Sequence, residues 1–217
     1  MHPEAMTPGA LALVPRLAPT LARHRFILAG GTSLALHLGH RLSIDLDFFS
    51  EEEVLPDLLM GELRAAHLNP EVLQLAPGTL SAVIEGVKVS FFHYPYLFVD
   101  PPQLYEGLAV ASVLDVAAMK LVAIAQRSAR RDFVDLYVIL QQTPFGAVAA
   151  RAVQRYGAQL IEPVVIGKGL TWFEDADGEP DPQYLGQPLP WNDVKAFFAS
   201  SFCQFVLDLD AARPDVC

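Results

Sequence analysis

Cysteine is nearly absent: Cys203 and Cys217 are the only two in 217 residues. Two thiols near one end cannot supply the disulfide framework of a small secreted scaffold, and their scarcity fits a reducing compartment. Long apolar runs are also missing. The best candidate, residues 109–125, is interrupted by Asp115 and Lys120 and falls short of the roughly 18 residues a membrane span needs. The first residues show no basic start, and Pro8 and Pro15 break their apolar stretch, which argues against a secretory signal. The expectation is a soluble, cytoplasmic protein. Basic excess is lacking too. Fifteen Lys and Arg face 25 Asp and Glu, a net charge of −10 that repels nucleic acid at long range.

What is present is apolar matter: 52% of residues are hydrophobic and 18% charged, enough for a substantial core. The negative charge is uneven. Residues 160–217 carry ten acids and three bases, whereas residues 16–41 carry four bases and no acid, and residues 112–155 six bases and three acids. An anionic ligand therefore belongs on the first two-thirds of the chain.

Periodicity predicts a helix from Pro8 to Arg23 broken near Pro15, then a short buried strand at 26–29. Gly30-Gly31-Thr32-Ser33 ends that strand, and a short helix runs on to Gly39, a natural C-cap. Strand-like alternation marks 44–49, a helix 56–67, and strands 71–75, 79–85 and 87–93 with turns at Pro77-Gly78 and Gly86. After a proline-rich break at 95–102, helices are expected over 113–126, 131–142 and 144–156. An acidic loop at 171–191 and a last helix capped by Asn192 follow. The fold class predicted is α+β: a mixed-sheet lobe over residues 1–100 and a helical lobe over 101–217 packed on it to form a cleft.

Two motifs carry the chemistry. Gly30-Gly31-Thr32, at a strand-to-helix turn, lets a backbone approach a ligand closely and aims first-turn N–H groups at an anion such as phosphate. Asp45 and Asp47, at i and i+2 on the next strand, share a face. Two adjacent carboxylates repel unless a cation lies between them, and all-oxygen ligation suits Mg²⁺. Either motif alone also reads as simple turn chemistry or a solvated edge strand. Together, a phosphate cradle beside paired carboxylates points to nucleotide chemistry.

These residues resemble the nucleotidyltransferase family that includes the AbiEii/AbiGii-type toxins of bacterial abortive-infection and toxin–antitoxin systems. The resemblance runs from Gly30-Gly31-Thr32-Ser33-Leu34-Ala35-Leu36 through Arg41-Leu42-Ser43 to Asp45-Leu46-Asp47-Phe48-Phe49. It continues in Ala118-Met119-Lys120-Leu121, Arg127 and Arg131-Asp132-Phe133-Val134-Asp135-Leu136-Tyr137, with an echo at Trp172-Phe173-Glu174-Asp175-Ala176. It implies a DNA-polymerase-β-like fold, Mg²⁺ on Asp45 and Asp47, and a nucleoside triphosphate donor. It implies phosphate contacts from Gly30, Gly31, Thr32, Arg41, Ser43, Lys120 and Arg127, with Asp132 and Asp135 completing the site. An RNA or transfer-RNA end as acceptor and an antitoxin as partner follow from the same resemblance. Read without it, Arg127 and Arg131 pair with Asp135 or Asp132 in an ion-pair network across a helical hairpin, and Lys120 is a snorkelling surface residue whose replacement by methionine leaves the fold intact.

The chain departs from the pattern at one point. The later strand that usually brings a third carboxylate here reads Val87-Lys88-Val89-Ser90-Phe91-Phe92, with Ser90 at the expected position. A hydroxyl is a poor Mg²⁺ ligand and no base near neutral pH. Either Asp132 or Asp135 takes that role, or the protein is a degenerate transferase that binds a nucleotide or a partner without turnover. His37 and His40 lack a third ligand for zinc, His93 reads as a packed strand residue, and Cys203 and the aromatics of residues 172–205 as core.

Overall fold

The computed structural model describes residues 1–214. The chain divides into two compact units, residues 1–112 and Val113 onward.

The first unit is built on a seven-stranded mixed sheet. Its strands are β1 (Ile27–Leu28), β2 (Leu46–Ser50), β3 (Glu71–Ala76), β4 (Thr79–Ile84), β5 (Val87–His93), β6 (Gln103–Tyr105) and β7 (Leu108–Val110), in the order β3-β4-β5-β2-β1-β7-β6. β2 runs parallel to β5 and antiparallel to β1, and β1 runs parallel to β7. Three α-helices belong to the unit: α1 (Pro8–Arg23), α2 (Gly30–Leu38) and α3 (Pro56–Ala65). Alternation decides which sheet face is the core. Leu46 and Phe48 of β2, Val89 and Phe91 of β5, and Leu80 and Ala82 of β4 lie in register and pack with Leu13, Leu17, Leu59 and Leu63 of the helices. Phe48 and Phe91 stack at 5.6 Å, both fully buried.

Three features differ from expectation. α1 is continuous through Pro15 and Pro19, both exposed, because its buried face, Leu13, Val14, Leu17 and Leu21, holds it as one helix. β6 and β7 extend the sheet past the proline-rich break to Val110, so the first unit ends later than residue 100. Three-residue strands carry too little periodicity to stand out from a loop. Asn192 is not the last helix's cap: that helix starts at Trp191, after Pro190.

The second unit is helical: α4 (Val113–Arg127), α5 (Arg130–Leu140), α6 (Phe145–Tyr156), α7 (Pro163–Gly169), the single-turn α8 (Glu174–Asp177) and α9 (Trp191–Ala211). Phe133 packs against Phe173, Trp191 and Phe198, and Phe145 stacks on Phe205 at 4.0 Å. Of the residues expected in this core, Cys203 is exposed and Trp172 is 54% exposed. The acidic stretch is not simply solvated. Arg130 donates to the Ala176 and Asp177 carbonyls and to Asp181 Oδ1, while its own N–H bonds Glu179. Among the described residues no helix is long and apolar enough to cross a membrane.

Candidate active site

The sequence-predicted residues fall into two groups, one in each unit. In the first, Ala29 donates its N–H to the Asp47 carbonyl at 3.1 Å, tying the end of β1 to the start of β2. The chain then turns sharply into α2. Gly30 has φ +67°, a left-handed conformation that glycine adopts without strain. A Cβ at residue 30 would sit 3.7 Å from Asp47 Oδ2, so this carboxylate lies against the helix start. The first-turn N–H groups of α2 have no acceptor within the helix, and the macrodipole adds partial positive charge there.

Gly31 is required by a different neighbour. A Cβ there would come within 2.5 Å of Arg41 Nη2, so the absence of a side chain admits the buried guanidinium onto the helix's first turn. Arg41 Nη1 also donates to the Leu42 carbonyl at 3.2 Å. The guanidinium and the first-turn N–H groups of α2 thus lie side by side.

Thr32 and Ser43 are buried and act on the loop that carries Asp45. The Thr32 hydroxyl donates to the Asp45 carbonyl and pairs with the Ser43 hydroxyl at 2.7 Å, while Ser43 N–H bonds the Ala5 carbonyl at 2.8 Å. Asp45 precedes β2 by one residue and Asp47 lies within it. Both are half-buried on the face opposite Leu46 and Phe48. Only one face of β2 is core.

Register places Ser90 beside Asp47. Ser90 Oγ lies 3.1 Å from Ser81 Oγ of β4, so the position expected to hold a third carboxylate is a buried pair of hydroxyls. Two strand positions before Ser90, Lys88 brings its Nζ to 3.8 Å from Asp45 Oδ2. Lys88 was not singled out from sequence. The signal for it was the alternation of β5, which turns Lys88 and Ser90 to the same side as the aspartates.

No group of three or more His, Cys, Asp or Glu that could hold a metal occurs among the described residues. Two carboxylates on one strand face suit Mg²⁺, which dehydrates reluctantly and commonly binds through one or two carboxylates plus substrate phosphates and water. The donor set fits an ion that arrives with a nucleotide, not an all-protein cage.

The second group lies between α4 and α5. Lys120 Nζ stands 2.6 Å from both Asp132 Oδ1 and Asp135 Oδ2, and Arg127 bonds Asp132 Oδ2 through Nε at 2.8 Å. Both carboxylates are fully buried, and Lys120 is buried with them. Burial alone would raise the Asp132 pKa. The Lys120 and Arg127 charges outweigh it and hold the carboxyl below its usual value. Nearby, Asp115 is buried against Arg151, 2.9 Å away, and its carbonyl accepts from Arg155 at 2.6 Å.

His37 Nε2 lies 2.9 Å from the Ala111 carbonyl, and burial lowers its pKa, as suits a packed neutral imidazole. His93 is exposed and bonds the Glu52 carbonyl through Nδ1 at 3.0 Å.

Residues 12–197 match the family model described as "Nucleotidyl transferase AbiEii toxin, Type IV TA system". Uncharacterized protein aq_aa25 of Aquifex aeolicus is 34% identical over 176 residues, 80% of this chain and 84% of that protein. Two solved structures share the fold at 16% identity. JHP933 from Helicobacter pylori aligns with a TM-score of 0.54 over 95% of each chain. MenT4, the nucleotidyltransferase toxin Rv2826c from Mycobacterium tuberculosis, aligns at 0.53 over 94% of this chain and 92% of its own.

Proposed function

This chain belongs to the AbiEii nucleotidyl transferase toxin family, and from that premise we propose that it moves a nucleotidyl group from a nucleoside triphosphate to an RNA acceptor. A transfer-RNA end is the first candidate, and growth arrest relieved by a cognate antitoxin is the physiological counterpart. The observation that carries the proposal is the meeting of Asp47 with the first turn of α2 at Gly30. Triphosphate oxygens would accept from the N–H groups of Gly30, Gly31 and Thr32 and from the Arg41 guanidinium, in the manner of anion sites at helix starts. Ser43 and Thr32 would hold the Asp45 backbone in place. Mg²⁺ on Asp45 and Asp47 would neutralise phosphate charge and orient the leaving group.

In the reaction an acceptor hydroxyl oxygen bonds to the α-phosphorus as its proton passes to solvent, the bond from the α-phosphorus to the α–β bridging oxygen breaks, and pyrophosphate leaves. Among this chain's carboxylates, Asp132 is a poor proton acceptor, because a depressed pKa weakens a base. The resemblance gives Lys120 and Arg127 a share in donor binding. Their present partners support a bracing role for Asp132 and Asp135 in the helical unit.

A second reading, nucleotide or partner binding without turnover, is favoured by the Ser90–Ser81 pair beside Asp47. Pyrophosphate release on adding acceptor separates the two.

Thermal stability tests the site itself, since a ligand that binds only the folded state at 100 times its Kd stabilises by about 2.7 kcal/mol. Triphosphate with Mg²⁺ should raise the Tm of the wild type, and chelation or Asp47→Asn should abolish the rise. An equal rise in Asp47→Asn would contradict this placement.

A further inference from the structure

We propose that Phe49 and Phe92 form a stacking platform for the base of the donor nucleotide. The inference rests on the triphosphate reading above and extends it along the same sheet face. On β2 and β5, Asp47 pairs with Ser90, and the next pair on that side is Phe49 with Phe92. A strand rises about 3.3 Å per residue, so the rings stand about 7 Å from the aspartate row, roughly the reach of one ribose.

The two rings stack at 5.2 Å with 30° between planes, and Tyr94 meets Phe49 edge-on at 5.3 Å and 72°. This pair does not belong to the hydrophobic core. Phe48 and Phe91, on the opposite face, fill that role and are fully buried, whereas Phe49 and Phe92 are half-buried and lie outside the core cluster. A half-exposed aromatic pair one row beyond a carboxylate pair suits a ligand anionic at one end and flat and aromatic at the other. Every base has a π-face, so stacking supplies affinity with little base selectivity. The platform therefore commits to a nucleobase as a class and accepts more than one.

The test compares ligands with and without a base. Wild type, Phe92→Leu and Phe49→Leu are titrated by calorimetry, with Mg²⁺, with each of the four ribonucleoside triphosphates and with inorganic tripolyphosphate. Leucine keeps apolar bulk and removes the ring, and thermal melts check that the variants fold. Wild type should bind each nucleotide more tightly than tripolyphosphate. Phe92→Leu should weaken nucleotide binding by roughly five- to a hundredfold, the range expected for one lost stacking contact, and leave tripolyphosphate binding unchanged. Equal losses for both ligands, or none, would overturn the platform, as would a wild type that binds nucleotide and tripolyphosphate alike. A wild type that binds neither would overturn the triphosphate reading as well.

Discussion

Lys120 holds two carboxylates that no water reaches, and its ammonium balances them at 2.6 Å each. Breaking a buried ion pair by removing one partner costs about 3–5 kcal/mol, because the remaining charge stays buried and uncompensated. Lys120→Met should therefore destabilise the protein by about that amount at pH 7, read by urea denaturation. A loss below about 1 kcal/mol would mean the pair is not a framework element. Acid changes the comparison in a definite direction. A carboxyl held below its ordinary 3.8 contributes stability that is full above that value and lost as pH falls below it. Wild type should lose this contribution below about pH 4, and the gap to Lys120→Met should narrow there, since a protonated Asp132 no longer needs the ammonium. From sequence alone Lys120 read as exposed if not catalytic, and the variant as normally folded. Partner distances, which spacing does not encode, reverse that expectation.

Among the elements, α1 is the one whose local chemistry opposes its structure most. Pro15 and Pro19 both lie inside it, each removing an N–H and crowding the preceding turn. Both are exposed, so replacing Pro15 by alanine touches no core contact, and Pro15→Ala should stabilise the protein by up to about 3 kcal/mol. Unchanged or lower stability by thermal denaturation would mean that Pro15 itself contributes to docking the buried face. Elements with strong periodicity were legible: α2 with its Gly39 cap, the β3–β4–β5 meander, and α4 to α6 agree closely with expectation. Elements set by tertiary pairing were not. β6 and β7 are three residues each and exist because β7 completes the far side of β1. Continuity of α1 came from its buried leucines overriding proline. Likewise, the Asp45–Asp47 pair and the glycine turn were readable as motifs. That Arg41 occupies the space beside Gly31, and that Ser81 partners Ser90, depended on approach distances and strand register.

For the whole molecule, the sheet unit carries the glycine turn, both aspartates and the aromatic pair, while the helical unit carries the Lys120 network. The net charge of −10 disfavours nonspecific RNA binding, so an RNA acceptor of the kind proposed would have to be held by local chemistry more than by a broad basic surface. On the function proposed, Asp45 and Asp47 serve nucleotidyl transfer. It is tested most directly by incubating the protein with Mg²⁺, total RNA and each α-labelled nucleoside triphosphate in turn, wild type beside an Asp45→Ala, Asp47→Ala double variant of verified fold. Wild type should join label to RNA with stoichiometric release of pyrophosphate, and the double variant should do neither. Label transfer that persists in the double variant, or wild type that transfers none to any RNA, would contradict it.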